Sequence, residues 1–299
     1  MDQPTHQLKP GALWPALLER TEHARRCGAI QSIPTTSELI EQDGVAFQVR
    51  LVTALAKKAG VRAASLHRNP FLPYDPDLFV TDLSPTHVAL LNKFNVVEHH
   101  LLIITRAFEE QETLLTRQDC EALLVGLAEI DGLGFYNAGP VAGASQPHKH
   151  LQIIPLTEAP DGRLPIEPLL STVRATATIG PVPGLPFQHA AAPFNPRWLD
   201  RGQDNVISFH ACYRALLDVT GLSIDPLQDG LERCGPYNLL VTRRWLLLVP
   251  RSEESFEGIS INALGFAGAL LVKDTTQLAV LKRHGPMTAL RHVTRSRLP

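Results

Sequence analysis

Ser145-Gln146-Pro147-His148-Lys149-His150-Leu151-Gln152-Ile153-Ile154-Pro155 carries His148, His150 and Gln152 at every second position of an apolar run. A β-strand alternates its side chains, so this spacing predicts three polar groups on one face, with Leu151 and Ile153 turned into a core. The residues just before it, Asn137-Ala138-Gly139 through Gly143-Ala144-Ser145-Gln146, are small and flexible enough for a phosphate to approach the backbone. They form a loop of hairpin length between strands expected at 135–138 and 148–155.

Working outward, residues 11–28 read as an amphipathic helix, with Leu13, Leu17 and Leu18 set against Glu19, Arg20 and Arg25. Residues 47–51 and 101–105 read as strands, the second one buried. Asn69-Pro70-Phe71-Leu72-Pro73-Tyr74-Asp75-Pro76 cannot be helical, because its prolines restrict themselves and the residues before them. It is apolar for a loop and is expected to pack on something. Thr116 and Asp119 form a capping box ahead of Leu123, Leu124, Leu127 and Ile130, and Gly132 and Gly134 are expected to end that helix. Residues 155–196 are proline-rich, with little periodicity beyond 166–173, and read as an irregular connection between the two halves, long enough either to be functional or to wrap the domain surface. Residues 204–221 read as a helix with Val206, Ile207, Ala211, Leu216 and Leu217 toward the core. Segments 237–242 and 245–250 form a hairpin across Arg243-Arg244, and 260–272 and 275–283 are expected to close the chain as helices. The expected fold is α+β (α/β): a largely antiparallel sheet covered by helices. Its N-terminal part, 1–175, holds the H-x-H-x-Q strand, and an extended C-terminal part, 176–299, packs on the same sheet.

The chain of 299 residues is 44% hydrophobic and 19% charged, enough for a substantial core. A formal charge of -2 offers no basic field for nucleic acid, so small molecules are the expected partners. Cys27, Cys120, Cys212 and Cys234 are far apart and form no C-x-x-C pair. That excludes a disulfide framework and a cysteine zinc site, and leaves reduced, mostly buried thiols. The N-terminus shows no basic region followed by an apolar stretch, and the longest apolar run, 263–272, is too short to span a bilayer. A cytoplasmic location without a membrane partner follows by default.

A neutral imidazole is a good nucleophile toward phosphorus when one nitrogen is held as a donor and the other presents its lone pair. His150 lies mid-strand, where backbone carbonyls are fixed, and His148 can orient or polarise a phosphate. Gln152 can donate an amide N–H to a phosphate oxygen but cannot ionise, so it activates water poorly. This favours transfer to an acceptor that is already an anion, such as inorganic phosphate, over hydrolysis. Gly143, Ala144, Ser145 and Gln146 can offer backbone N–H groups and a hydroxyl. Asn137 can bond ribose or phosphate, and Lys57, Lys93 and Lys273 are candidate cations for a polyphosphate. The alternatives are a metal-ligating H-x-H, which here lacks a third ligand nearby, and two core histidines satisfied by backbone.

Asn69-Pro70-Phe71-Leu72-Pro73-Tyr74, Leu91-Asn92-Lys93-Phe94, Phe135, Asn137 and Gly139, residues 143–152 and Tyr237-Asn238-Leu239-Leu240 together resemble the diadenosine tetraphosphate (Ap4A) phosphorylase, or ATP adenylyltransferase, family. That family sits in the histidine-triad (HIT-like) superfamily, beside galactose-1-phosphate uridylyltransferase. The resemblance runs from about residue 45 to 285, and it departs at Asn95-Val96-Val97-Glu98-His99-His100, where the family usually carries prolines. It implies that His150 takes an adenylyl group from Ap4A, releasing ATP, and passes it to phosphate as ADP. His148 and Gln152 would stabilise the transferring phosphate, and Asn137 and residues 143–146 would hold phosphates. Asn92 and Lys93 would lie near adenosine, Lys273 would reach distal phosphates, and Lys57 stands where the family places a basic residue. A divalent cation such as Mg2+ would be bound mainly through substrate phosphates. Two sister activities share the same active strand. A sugar-1-phosphate nucleotidyltransferase would be expected to carry a cysteine-rich zinc site near its N-terminus, where only Cys27 is found. A HIT-type hydrolase would have histidine at position 152. A silent nucleotide sensor is the reading outside enzymes.

Overall fold

Short runs of leucine, isoleucine, valine and alanine build one eight-stranded sheet, and the computed structural model describes it through residues 8–52, 69–158, 162–173, 178–227 and 230–296. Its strands are β3 (Phe79–Asp82), β4 (His87–Leu91), β5 (Leu101–Thr105), β6 (Gly132–Asn137), β7 (His150–Pro155), β8 (Ala190–Pro193), β11 (Tyr237–Val241) and β12 (Trp245–Pro250). They lie in the order β3-β4-β5-β7-β6-β11-β12-β8, and every neighbouring pair is antiparallel. Strands from before and after residue 175 therefore share one sheet. A smaller sheet joins β1 (Thr35–Gln42), β2 (Val45–Val52) and β15 (Ala269–Val272), with β15 parallel to β2. Two short ladders, β9 (Ile224–Pro226) with β10 (Glu232–Cys234) and β13 (Ser255–Phe256) with β14 (Ile259–Ser260), complete the strands.

The period of two sorts the large sheet into faces. Leu151 and Ile153 of β7 are fully buried against α1 (Leu13–Cys27), α2 (Arg117–Glu129) and, after the short α3 (Glu167–Leu170), α4 (Gln203–Val219). Each such leucine removed from water contributes about 2 kcal/mol. On the other face, Ile154, Phe135, Leu240 and Leu247 pack with Phe47 and Val49 of β2 and with Leu270 and Val272 of β15. That core also takes in α6 (Thr275–His284) and α7 (Pro286–His292), while α5 (Ala263–Phe266) sits beside β15. The functional side chains face this second layer.

Helix α2 starts as the capping box predicts: Thr116 accepts from the Asp119 amide, and the Asp119 carboxylate accepts from the Thr116 amide. It ends at Glu129, before either glycine. Arg243 caps its last turn, donating to the carbonyls of Leu127 and Ala128 at 2.7 and 3.0 Å. Gly132 and Gly134 belong to β6, where they let the helix and the next strand approach. A Cβ on Gly132 would stand 2.7 Å from the Ile154 carbonyl oxygen.

Other sequence expectations are corrected. The strand expected at 148–155 begins at His150, and His148 forms only an isolated bridge with Glu110. Leu18, Ile207 and Ala211 are exposed. Residues 260–272 are not one helix, because Asn262 caps the four-residue α5 and Gly268, at φ 93°, turns the chain into β15. Of the two roles open to the connection after Pro155, the surface wrap does not hold, since Leu164, Ile166, Leu170, Val182, Leu185 and Phe187 are core residues, while Leu164 and Pro165 also line the cavity described below. All four cysteines are free, but only Cys120 is buried. No helix among the described residues is long and apolar enough to cross a membrane.

Candidate active site

A cavity of about 510 Å³ opens between the second face of the large sheet and the edge formed by β2 and β15. His150, Gln152 and Ile154 line it from β7, Gln48 and Arg50 from β2, and Ala269 to Leu271 from β15. A groove of about 550 Å³ between α2 and residues 198–206 contains none of the H-x-H-x-Q residues.

His150 is 4% exposed. Its Nδ1–H donates to the His148 carbonyl at 2.8 Å, so Nε2 is left with its lone pair. Burial pushes its pKa down to about 4, against the smaller opposing effect of that hydrogen bond, so the ring is neutral at pH 7. His148 contributes a carbonyl, while its side chain is spent elsewhere and does not line the cavity. Asn69 Oδ1 accepts the Phe71 amide, so Asn69 Nδ2 must be the donor to His148 Nδ1, at 2.8 Å. His148 Nε2–H then donates to the Thr105 carbonyl at 2.9 Å. The Asn69–Tyr74 loop packs on the site as its apolar character predicted: the Phe71 ring lies 5.6 Å from the His148 ring and 5.3 Å from the His150 ring.

Gln152 is oriented by a chain whose polarity can be read bond by bond. Asn92 Oδ1 accepts the Phe94 amide, so Asn92 Nδ2 donates to His100 Nδ1 at 3.1 Å. His100 therefore carries its proton on Nε2 and donates to Gln152 Oε1 at 2.9 Å. The carboxamide N–H2 of Gln152 is left for a ligand. His100 is absent from the sequence-based site; its N-x-F partner motif, the same as at Asn69, is the signal that could have found it.

Gln111 is likewise missed, lying 39 residues from His150. The ladder between β6 and β7 stops at the Phe135–Gln152 pair. Beyond it, the Gln111 side chain accepts from the His150 amide at 2.8 Å and donates to the Asn137 carbonyl at 2.9 Å. It bridges the ends of the two strands that carry the functional groups. Behind the strand, the buried ammonium of Lys149 meets Asp119 at 2.7 Å, Glu109 at 3.2 Å and the Leu114 carbonyl at 2.9 Å. Burial opposes the charge on Asp119, but the bond from His87 and the charge of Lys149 outweigh it and hold the carboxyl well below the usual range. A buried pair of this kind tolerates little displacement, so it fixes the start of β7 from the opposite face.

The loop carries fewer free donors than its composition suggests. The amides of Gly143 and Ala144 donate to the carbonyls of Pro140 and Gly139. Ala144 does not line the cavity, whereas Gly143, Ser145 and Gln146 do. Gly143 has φ 84°, and a Cβ there would stand 2.7 Å from the Ile261 carbonyl oxygen, so only glycine lets the loop lie against Asn262. Asn92, Lys93 and Asn137 line the cavity. Lys273 does not: it is exposed past the end of β15. Lys57 lies outside the described residues. Arg50, which the sequence does not single out, joins Lys93 as a cation among the described lining residues.

The model of the Ap4A phosphorylase N-terminal domain matches residues 3–172, and that of the ATP adenylyltransferase C-terminal domain matches residues 183–296. The chain belongs to the Ap4A phosphorylase family. It is 31% identical to diadenosine 5',5'''-P1,P4-tetraphosphate phosphorylase 2 of Saccharomyces cerevisiae, over 75% of each chain, and 28% identical to Protein APA1 of the same yeast, over 62% of this chain and 61% of that one. The crystal structure of yeast Ap4A phosphorylase Apa2 superposes with a TM-score of 0.80 at 25% identity, covering 98% of this chain and 100% of that chain. The same yeast enzyme in complex with Ap4A gives 0.76 at 24% identity, with the same coverage. The chain is accordingly a nucleotidyltransferase. In Ap4A phosphorylase terms, the H-x-H-x-Q strand lies in the N-terminal family domain, while Asn262 and β15 bring the C-terminal family domain to the same cavity.

Proposed function

We propose that the protein transfers an adenylyl group from Ap4A to inorganic phosphate, through an adenylyl group held on His150. The observation that carries this is the neutral His150 ring, with its Nδ1 proton fixed on the His148 carbonyl and its Nε2 turned to a cavity lined by amide donors. Nε2 attacks the α-phosphorus, the bond from that phosphorus to the bridging oxygen breaks, and ATP leaves. No base is required, because the attacking nitrogen carries no proton. The positive charge that develops on the ring is stabilised through Nδ1–H by the His148 carbonyl. Inorganic phosphate then attacks the same phosphorus, the P–N bond breaks, and ADP leaves with the imidazole restored. Gln152 and Asn137 donate N–H bonds to the equatorial oxygens, and Ser145 and Gln146 take the flanking phosphate. Such preorganised donors carry most of the barrier reduction in phosphoryl-type transfer. Lys93 and Arg50 serve the rest of the polyphosphate. Asp75 is the lone carboxylate among the described lining residues, so a Mg2+ accompanying the substrate would be held mainly by phosphate oxygens.

Incubation with Ap4A is expected to give ATP and ADP, and only when phosphate is present. AMP and ATP without a phosphate requirement would show a hydrolase, and turnover of a UDP-hexose would show a sugar-1-phosphate nucleotidyltransferase.

The pH dependence follows from the same ring. The nucleophile must be neutral, and its pKa is depressed from 6.5 to about 4. Formation of the adenylyl-protein in a single turnover is therefore expected to be flat from pH 7 down to about 5 and to fall as pH drops through about 4. A limb centred near 6.5 would mean a solvated nucleophile and contradict the assignment.

A further inference from the structure

Asn238 belongs to the Tyr237-Asn238-Leu239-Leu240 run that helped mark the family, yet it does not line the cavity. Beside it lies Arg251, which is 1% exposed. All five guanidinium N–H groups are spent on neutral oxygens: Nε on the Val293 carbonyl at 3.1 Å, Nη1 on Asn238 Oδ1 at 2.7 Å and the Ile261 carbonyl at 2.8 Å, and Nη2 on the carbonyls of Glu253 and Glu254 at 2.7 and 3.3 Å. A guanidinium can only donate. Asn238 must therefore turn its oxygen toward Arg251 and its nitrogen away. That nitrogen donates to Asn137 Oδ1 and to the Ala142 carbonyl, each at 2.8 Å, which uses both of its protons. The Ala263 amide donates to Asn137 Oδ1 as well, at 3.0 Å. With its oxygen taken twice, Asn137 has only its N–H2 left for the cavity it lines.

We infer that Arg251 and Asn238 are positioning residues that, together with the Ala263 amide, set the polarity of Asn137, so that it presents a donor and not an acceptor to the phosphate in the cavity. The inference deepens the proposed transfer reaction and rests on it for the identity of that phosphate. An asparagine amide can be turned over with little change of shape, and the wrong orientation would face an anion with a carbonyl oxygen. Arg251 prevents this from two residues away, because a donor-only group begins the chain.

Asn238→Asp tests the relay. It keeps the volume and the acceptor for Arg251 but sets a carboxylate oxygen against Asn137 Oδ1, so the amide is drawn to turn its N–H2 inward against the opposing Ala263 N–H, and the donor at the cavity is lost or shared between the two orientations. The variant is expected to lower kcat/KM for Ap4A phosphorolysis by about 10²-fold and to weaken ATP binding, with a lower thermal midpoint because the Ala142 carbonyl loses its donor. In an Asn137→Ala background the same change should cost less than about threefold, because the residue it acts through is gone. Equal losses in both backgrounds would reduce Asn238 to a structural role, and no loss in the native background would overturn the inference outright. A native protein that binds ATP but does not turn over Ap4A would sink the reaction while the ATP-binding cycle still judged the relay. If Asn238→Asp does not fold, the side-chain amide protons of Asn137, identified by their absence in Asn137→Ala, should shift when ATP is added to the native protein. Unmoved resonances would refute the relay.

Discussion

Replacing His150 by alanine is expected to lower kcat for Ap4A phosphorolysis by more than about 10⁴-fold and to leave no acid-labile adenylyl label on the protein. The effect is large because no neighbouring group can substitute. His148 is the nearest imidazole in sequence, but its Nδ1 is held by Asn69 and its Nε2–H by the Thr105 carbonyl, so neither nitrogen offers a lone pair to the cavity. Fold damage is not the cause to expect, since the buried network behind β7 runs through Lys149 and Asp119. Label recovered on His150→Ala would move the nucleophile elsewhere.

Gln152→Glu is expected to lower kcat by about 10³-fold with the thermal midpoint largely kept. His100 Nε2–H can still donate to one carboxylate oxygen, as it does to Oε1 now. The second oxygen then replaces the N–H2 that faces the ligand, so a donor is exchanged for a negative charge beside a phosphate. Removal of one such donor from a site of this kind costs about 10²- to 10³-fold, and repulsion adds to it. The comparison that separates the two effects is Gln152→Met, which deletes the donor without adding charge and should fall less. Equal activity of Gln152→Glu and the native protein would mean that the amide does not contact the transferring phosphate.

The features legible in the sequence are those set by local rules. The period of two placed His150 and Gln152 on one face of β7, with Leu151 and Ile153 on the other. The capping box marked the start of α2, and the apolar run Leu101–Thr105 is the buried β5. Lost were features that depend on partners distant in sequence. Gln111 reaches the β6–β7 gap from a loop whose composition shows nothing unusual. His100 matters because β5 brings the start of its strand beside Gln152, a register that no single-strand pattern contains. Strand β1 shows no readable period because it is an edge strand with mostly exposed, polar residues; its turn, Asp43-Gly44, has positive φ at both positions and is the signal the sequence offers. Lys273 shows the limit of reading a position from its neighbours. It follows an apolar run whose residues do line the cavity, but its own position falls past the end of the strand.

The cavity walls come from points as far apart in the chain as Gln48 and Leu271. A nucleotide filling it would touch both sheets and both family domains at once. By mass action, the free energy of its binding is added to the stability of the whole fold: a ligand at a hundredfold excess over its Kd contributes about 2.7 kcal/mol. Occupied protein opens correspondingly less often to solvent and to proteases. Protein held at nucleotide levels well above Kd is therefore expected to resist proteolysis longer than empty protein.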